Sequence, residues 1–550
     1  MKQIIHTILL IVLLSMVGIE CSAHDFVATN ANGVPIYYKR ISDTEVEVSY
    51  RGSDVSTFTN EYTGDVVVPK TVTYEGVTYS VTCIGAEAFM NCNVTSVSIP
   101  YGVTQIKGYA FYRCSALTSV TIPNSVTMIN GYVFYGCRAM TSITIPNGVI
   151  YIGGSAFKSC SGLTSITIGN GVTYIDNNAF DGTAWYNNQA DGLVYAGFVA
   201  YKYKGTMPGN TSVTLKDGTL GIADSAFRGC TGLTSVTIPN SVTIIGGNAF
   251  RDCSGLTSVT IPNGVTHIDG AAFYGCSGLT SVTIGNTVTN IGSAAFSGCS
   301  GLTSITIPNC VKRIYDRAFY GCSGLTSITI PNSVTNIGPH AFFGCSGLTS
   351  VTIGNSVTSI GVEAFSGCSS LNTIKVGSGN MKYDSRNNCN ALIETETSIL
   401  ILGSNNATIP NGVIYIGDGA FYGYTGLTSI TIPYCVTSIG SFAFENCTGL
   451  TSVTSLATNP PTCGYQTFQG INQSACRLKV PEASIDLYKA ADQWKDFYNI
   501  EATAINAPTV DNGGVTYQYY DLNGQQLLQP CKGVNIVKSS DGKTSKVVVK

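Results

Sequence analysis

The chain reads GLTSVTIPNSVTIIGGNAFRDCS over residues 232–254 and GLTSVTIPNGVTHIDGAAFYGCS over residues 255–277, which are two copies of one 23-residue unit. The unit recurs through most of the 550 residues, and its clearest marker is a phenylalanine that is found in fourteen copies. These phenylalanines are Phe89, Phe111, Phe134, Phe157, Phe180, Phe227, Phe250, Phe273, Phe296, Phe319, Phe342, Phe365, Phe421 and Phe444. A period of this length is typical of stacked repeats, so it predicts a solenoid.

Within one copy, the pattern predicts two short strands joined by turns. Apolar Val236 is followed by polar Thr237, and this period of two is typical of a half-buried strand. Pro239 indicates a turn because proline fixes φ and cannot donate a ladder hydrogen bond. Residues 241–245 form a second extended stretch, and a compact turn or helix is expected around Phe250. Burial of a few apolar side chains, at about 1.5–3 kcal/mol each, does not offset about 1.5 kcal/mol per ordered residue, so one copy alone should not fold.

The repeat, L-x-x-V-x-I-P-x-x-V-x-x-I-x-x-x-A-F-x-x-C, resembles the leucine-rich repeat of the BspA-like surface proteins of Bacteroidetes, spirochaetes and some mucosal protozoa. The resemblance covers about residues 81–470. It implies a curved, right-handed leucine-rich-repeat-like solenoid with a parallel β-sheet on one face. It also implies display outside the cell and attachment to host proteins or to other microbes.

The start of the chain predicts export. Lys2 precedes a short apolar run and a small-residue cleavage site at residues 21–23, so we interpret residues 1–23 as a removed signal peptide. The apolar run is shorter than the about 20 residues that a transmembrane helix needs. Cys21 leaves open a lipoprotein anchor, although Glu20 stands where such a signal prefers a small residue. The expected location is the outer-membrane surface or the secreted medium, without a transmembrane span.

The remainder divides by composition and pattern. We expect a β-rich N-terminal cap at residues 24–80, the solenoid at 81–470 with insertions at about 181–215 and 372–408, a C-terminal cap at 471–500 with helical character from residue 485, and a small β module at 501–550. Alternating aromatic and β-branched residues between Gly/Asn turns predict hairpins in both insertions. The last segment, with Tyr519-Tyr520-Asp521-Leu522-Asn523-Gly524, resembles the C-terminal sorting module of type IX secretion in Bacteroidetes.

The charge content restricts the choice of partner. Charged residues make up only 11% of the chain and the formal net charge is -3. No basic patch of the kind that holds phosphate backbones is present in the sequence, so nucleic acid is not expected as a partner. Since electrostatic steering is weak in such a chain, recognition should depend on hydrogen bonding and shape.

Twenty cysteines in an exported chain raise the question of disulfides. Most of them stand three residues after the phenylalanine, where a column of buried free thiols is expected. This column comprises Cys92, Cys114, Cys137, Cys160, Cys230, Cys253, Cys276, Cys299, Cys322, Cys345, Cys368 and Cys447. The better disulfide candidates are Cys83, Cys310, Cys389, Cys435, Cys463, Cys476 and Cys531. No C-x-x-C pair predicts a metal site, and no cofactor is expected.

The sequence also argues against an enzyme. Three histidines remain after the predicted cleavage, and His267 and His340 occupy different repeat positions, so they should not share one face. No G-x-S-x-G elbow marks a nucleophile among the many serines. We therefore expect a non-catalytic protein.

Two groups of residues are candidates for a ligand face. Outward threonines repeat along the predicted sheet, and aromatic residues concentrate in the first insertion. The candidates are Thr237, Thr260, Thr283, Thr306, Thr329, Thr352, Trp185, Tyr186, Tyr195, Tyr201 and Tyr203. Each group has a structural alternative: threonine has high strand propensity, and the aromatic side chains could pack a widened coil. A flat threonine array would also suit an ice-binding face.

The leading functional hypothesis is an adhesin that binds host extracellular or cell-surface proteins or other bacteria. A polysaccharide- or glycan-binding module is the alternative class.

Overall fold

The computed structural model describes residues 23–51, 60–503, 517–520, 526–527, 533–539 and 543–549. The predicted signal peptide, apart from residue 23, lies outside them. The chain forms two compact units: unit 1 comprises Met1–Thr206 and Gly218–Ala226, and unit 2 comprises Met207–Asp217 and Phe227–Lys550. Each unit consists of stacked coils with parallel strands, which confirms the predicted solenoid. Within the described ranges, no helix combines the length and the apolar character needed to cross a membrane.

Unit 1 begins with mostly antiparallel strands and continues with parallel coils. Its strands are Phe26–Thr29, Pro35–Arg40, Glu45–Ser49, Thr63–Val67, Thr71–Tyr74, Val77–Ile84, Asn93–Ser98, Gln105–Ile106, Ser119–Thr121, Met128–Ile129, Ser142–Ile145, Tyr151–Ile152, Ser165–Ile168, Tyr174–Ile175, Gly192–Ala196, Val199–Lys204 and Gly221–Ile222. One short helix, Ala184–Asn187, lies in the first insertion. The first three strands pair antiparallel, so the start of the chain is β-rich. Its role as a cap stays a prediction.

In unit 2 most regular coils contribute two strands: a longer strand of three to five residues, reduced to two in Ser304–Ile305, and a short strand of two residues. The longer strands are Thr211–Thr214, Leu233–Thr237, Ser258–Ile261, Ser281–Ile284, Ser304–Ile305, Ser327–Thr329, Ser350–Ile353, Thr373–Val376, Ser429–Ile432, Ser452–Ser455, Arg477–Val480 and Asn499–Ala502. The short ones are Ile244–Ile245, His267–Ile268, Asn290–Ile291, Arg313–Ile314, Asn336–Ile337, Ser359–Ile360, Tyr415–Ile416, Ser438–Ile439 and Thr462–Cys463. Equivalent residues pair in parallel, as Val259 does with Val282.

The second insertion and the C-terminal part complete unit 2. Strands Tyr383–Asp384, Leu392–Glu394 and Ile399–Leu402 pair antiparallel in sequence order. Helix Ile485–Ala490 is shorter than the helical stretch expected from residue 485 onward. Strands Tyr517–Tyr520, Gln526–Leu527, Gly533–Ser539 and Thr544–Val549 form an antiparallel sheet. In unit 1, Gly192–Ala196 and Val199–Lys204 also form a hairpin, so hairpins are confirmed in both insertions.

A stack of phenylalanine rings runs through the core of each unit. In unit 2, the rings of Phe250 and Phe273 are 5.1 Å apart and 4° from parallel, and both side chains are fully buried. The stack continues from Phe444 to Phe468, whose ring centroids are 5.6 Å apart. The sequence pattern missed Phe468 because it follows Phe444 by 24 residues, with no Ala before it. Parallel offset rings at this distance are a favourable aromatic arrangement.

The turn around each phenylalanine is not a helix, because two of its residues adopt left-handed backbone angles. Asn248 has φ 54° and Asp252 has φ 60°, on either side of Phe250. These conformations direct alternate N–H groups toward the next coil, where Asn248, Phe250 and Asp252 donate to three backbone carbonyls at 2.7–3.0 Å. Left-handed angles cost about 1–2 kcal/mol in residues other than glycine. The regular hydrogen bonds between coils offset that cost.

The cysteine column is confirmed as free thiols. Seventeen described cysteines are free, including all twelve of the column. In most coils the Sγ–H donates to the phenylalanine carbonyl of the preceding coil, for example Cys276 to Phe250 at 3.0 Å. The disulfide prediction was wrong for Cys83, Cys310, Cys389, Cys463 and Cys476, which are also free. Cys435 is disulfide-bonded, and Cys531 lies outside the described residues.

Candidate ligand-binding surfaces

The coils carry two columns of threonine with different hydrogen bonding. We call Thr234, Thr257, Thr280, Thr303, Thr326 and Thr349 the ladder threonines. Their hydroxyls each donate to the carbonyl of the equivalent residue one coil earlier, as Thr280 does to Thr257 at 3.0 Å. We call Thr237, Thr260, Thr283, Thr306, Thr329 and Thr352 the face threonines. They are the candidates from the sequence, and within the described part of the chain their hydroxyls make no intramolecular hydrogen bond.

The face threonines lie in register on the outward side of the parallel sheets. Thr260 pairs with Thr283 and Thr329 with Thr352, while the apolar residues beside them point into the core. Five of the six are exposed, and Thr352 is partly covered. Parallel strands are spaced about 4.8 Å apart, so their free hydroxyls form a regular row.

The row of face threonines is interrupted by a groove. Strand Ser304–Ile305 pairs with the strand before it, but no ladder joins it to Ser327–Thr329 in the described structure. Beside this break lies an open cavity of about 620 Å³. Its lining includes Ser304, Thr306, Asn309, Ser327, Thr329, Pro331, Asn332, Thr352 and Gly354. Three face threonines therefore share one concave surface, and its volume is in the range of roughly 300–1,000 Å³ that is common for ligand sites.

Sequence reasoning had no signal for this groove. Residues 302–309 and residues 325–332 both read LTSITIPN, yet the strand is shorter in the first copy. The break depends on small differences in how adjacent coils stack, and identical strand sequences do not encode them.

The aromatic candidates of the first insertion mostly pack against the core of unit 1. Tyr201 is buried at 1% exposure, and its hydroxyl accepts from Phe180 N and donates to Asp181. Trp185 packs edge-on against Phe180, with ring centroids 5.3 Å apart. Tyr186 is also half-buried against the core. Tyr201 is therefore a packing residue in this structure.

Tyr195 and Tyr203 are both half-buried, on the two strands of the hairpin. These aromatic residues belong to unit 1, and the face threonines belong to unit 2.

The ionisable residues do not assemble a recognisable catalytic or metal centre in the described ranges. His340 Nε2 lies 3.3 Å from Glu363, and its Nδ1 lies 3.9 Å from Asp316, on the neighbouring coils. His267 Nδ1 is 2.9 Å from the hydroxyl of Thr266. No group of three or more His, Cys, Asp or Glu residues is placed to hold a metal ion there. Burial raises the pKa of the Cys276 thiol to about 12, so this thiol is a poor nucleophile and a poor metal ligand.

These features define a leucine-rich-repeat scaffold with an open sheet face. A family model described as "BspA type Leucine rich repeat region (6 copies)" matches the chain over four ranges, residues 80–189, 200–324, 290–395 and 403–508. The chain belongs to this family. No curated protein sequence matches the chain significantly.

Solved structures of leucine-rich-repeat proteins are also similar. One, a leucine-rich repeat protein from Bacteroides ovatus, is 28% identical, with 64% of this chain and 100% of that chain covered and a TM-score of 0.31. A leucine rich cell surface protein from Faecalibacterium prausnitzii is 26% identical, with 78% and 95% covered and a TM-score of 0.28. These TM-scores are low, so the family assignment rests on the sequence match alone.

Proposed function

We propose that this protein is an exported, non-catalytic adhesin that binds a protein partner through the groove at Thr306, Thr329 and Thr352. The observation that carries the proposal is the contrast between the two threonine columns. The hydroxyls of the ladder threonines donate hydrogen bonds to the preceding coil. The hydroxyls of the face threonines are free to hydrogen-bond a ligand. The partners are host extracellular or cell-surface proteins, or surface proteins of other bacteria.

Two further features support a binding scaffold. Charged residues are scarce, so the groove offers hydroxyls, amides and backbone rather than ions. The strands on either side of the groove are held by the core, which limits the conformational entropy lost on binding. The proposed location outside the cell depends on the predicted signal peptide.

A glycan is the second candidate ligand. The groove lining combines serine and threonine hydroxyls with Asn309 and Asn332, and such groups bond sugar hydroxyls as readily as they bond a peptide.

The experiment adds bulk and charge to the groove without touching the core. In the triple variant Thr306→Lys/Thr329→Lys/Thr352→Lys, the substituted side chains point outward while Ile305, Ile328 and Val351 stay in place. We expect binding to immobilised extracellular-matrix proteins to weaken at least about tenfold, a change of about 1.4 kcal/mol. Ser300→Lys adds a lysine at an exposed position outside the groove, and this control variant should bind like the parent.

Solid-phase binding and a glycan array should be run on the same folded variants, with circular dichroism to check the fold. Unchanged binding of the triple variant to every matrix protein that the parent binds would contradict the groove. Binding to glycans alone, lost in the triple variant, would favour the second candidate.

A further inference from the structure

Four tyrosines form a compact block on the turn side of unit 1, which we call the tyrosine block: Tyr109, Tyr112, Tyr132 and Tyr135. The rings of Tyr109 and Tyr132 stack 4.9 Å apart and 2° from parallel, and those of Tyr112 and Tyr135 stack 5.0 Å apart. The two stacks touch each other at 5.5 and 5.8 Å. Tyr109 and Tyr132 are each 39% exposed, and no hydroxyl of the block makes an intramolecular hydrogen bond in the described structure.

The repeat itself builds this block. Tyr109 and Tyr132 stand two residues before the core phenylalanine of adjacent coils, and Tyr112 and Tyr135 stand one residue after it. Backbone hydrogen bonds hold the two turns together, including Tyr109 N to Gly131 O at 3.2 Å. The rings are therefore fixed before any partner arrives, so little conformational entropy is lost when they are covered.

An open cavity of about 540 Å³ lies beside the block. It is lined by Asn91, Arg113, Ser115, Tyr135, Gly136, Arg138 and Ser159. Gly136 keeps this space open, because it occupies the repeat position at which the adjacent coils carry Arg113 and Ser159. The guanidinium of Arg113 lies 5.1 Å from the ring centre of Tyr112, which places a cation at the border of the block.

The cations around the block are not neutralised by the protein. Arg113, Arg138 and Lys158 make no ion pair in the described part of the chain. On the same side, Asp181 is already paired with Lys202 at 2.7 Å, and Glu87 is the half-buried carboxylate at the repeat position of Tyr109, one coil earlier.

In two turns of unit 2, by contrast, an arginine has an acidic partner: Arg251 lies 3.4 Å from Asp252, and Arg317 lies 3.1 Å from Asp316. The cations beside the tyrosine block thus lack the acidic partners that the arginines of those turns have.

We propose that the tyrosine block, with Arg113 and Arg138, is an interface for an acidic segment of a protein partner. Tyrosine and arginine are enriched among residues that dominate protein–protein binding energy, and the guanidinium fork matches a carboxylate in two hydrogen bonds. Four rings against three cations make the surface more aromatic than ionic, which suits a peptide with apolar and acidic side chains better than a densely sulfated glycan. This interface is independent of the groove in unit 2.

The test uses the full chain and a fluorescein-labelled peptide of alternating glutamate and leucine, with a glutamine–leucine peptide and a heparin oligosaccharide as comparisons. We expect the acidic peptide to bind and its affinity to fall with added salt, since exposed charges are screened over about 10 Å at 0.1 M ionic strength. Arg113→Glu/Arg138→Glu should weaken binding at least about tenfold. Tyr109→Ala/Tyr132→Ala should weaken it to a similar extent.

Matched controls separate the local site from general effects. Lys312→Glu/Arg313→Glu changes the net charge by the same amount in unit 2, and Tyr315→Ala/Tyr320→Ala removes two tyrosines of similar exposure there. Both control variants should bind like the parent. Equal binding of the glutamine peptide, unchanged binding after the double charge reversal, or preference for the heparin oligosaccharide would each overturn the proposal. The groove variant Thr306→Lys/Thr329→Lys/Thr352→Lys should leave this binding intact, so the two proposals fail separately.

Discussion

At the scale of the residue, Ala294 and Ala295 are neighbours with opposite backbone requirements. Ala294 has φ 55°, in the left-handed region, and its N–H donates to Asp316 O in the next coil at 2.8 Å. Ala295 is fully buried beside Phe296 and is not among the residues with positive φ. The same side chain is therefore strained at one position and well placed at the next.

Glycine should stabilise the first position and destabilise the second. Ala294→Gly relieves the clash of Cβ in the left-handed conformation, and we expect a gain of up to about 1 kcal/mol. Ala295→Gly loses a buried methyl group and adds backbone freedom, so we expect a loss of about 1 kcal/mol. The midpoints of thermal unfolding by circular dichroism measure both changes. If the unfolding midpoint fell by the same amount in both variants, this account of the turn would be contradicted.

At the scale of the element, a buried tyrosine hydroxyl is one of the contacts that hold the first insertion to the core. Tyr201 accepts from the backbone N–H of Phe180 at 3.0 Å and donates to Asp181 at 3.0 Å. Burial raises the pKa of Tyr201 well above its ordinary value, and the hydroxyl stays neutral. Removal of the whole insertion would leave Phe180 uncovered on the side of Tyr201 and Trp185, so a point substitution is the cleaner test.

Tyr201→Phe should cost about 1–3 kcal/mol, because the buried N–H of Phe180 loses its acceptor. Tyr203→Phe is the matched control: Tyr203 is half-buried on the same strand, and no hydrogen bond of its hydroxyl is found in the described structure. It should change stability little. Hydrogen exchange of the Phe180 amide reports the lost bond directly, and equal protection in parent and Tyr201→Phe would refute its role.

The same element shows what sequence could and could not predict. Alternation in residues 192–204 predicts a hairpin, because period two follows from the geometry of a strand. It does not say that Tyr201 faces inward while Tyr203 is only half-buried, because both lie among aromatic neighbours in an irregular coil. Likewise, the face threonines follow from the repeat, whereas the groove at Thr306 depends on a break between two identical strand sequences.

At the scale of the whole molecule, the free thiols form a second ladder beside the phenylalanine stack. Each phenylalanine carbonyl in a regular coil accepts the N–H of its own cysteine and the Sγ–H of the next, as Phe250 O does from Cys253 and Cys276. Thr183 replaces the cysteine in one coil, where its hydroxyl bonds Phe180 O and caps the short helix. Tyr424 replaces it in another and is fully buried.

Because of these buried thiols, the free energy of unfolding depends on pH in the alkaline range. Burial raises the pKa of Cys276, Cys345 and Cys447 from the ordinary value of 9.0 to about 12. Above about pH 9 the unfolded chain releases thiol protons that the folded chain keeps, so folding loses stability as pH rises from about 9 to about 12. Below pH 9 the contribution is fully present.

The triple variant Cys276→Ala/Cys345→Ala/Cys447→Ala separates the two roles of these thiols. At neutral pH it should unfold at a lower temperature, since each substitution loses a hydrogen bond and leaves a small cavity, at about 1–2 kcal/mol per site. Above pH 9 its unfolding temperature should fall less steeply than that of the parent, because three fewer groups titrate on unfolding. The buried tyrosines are the same in both proteins, so their effect cancels. Parallel pH profiles for the two proteins would show that the thiols do not couple folding to pH.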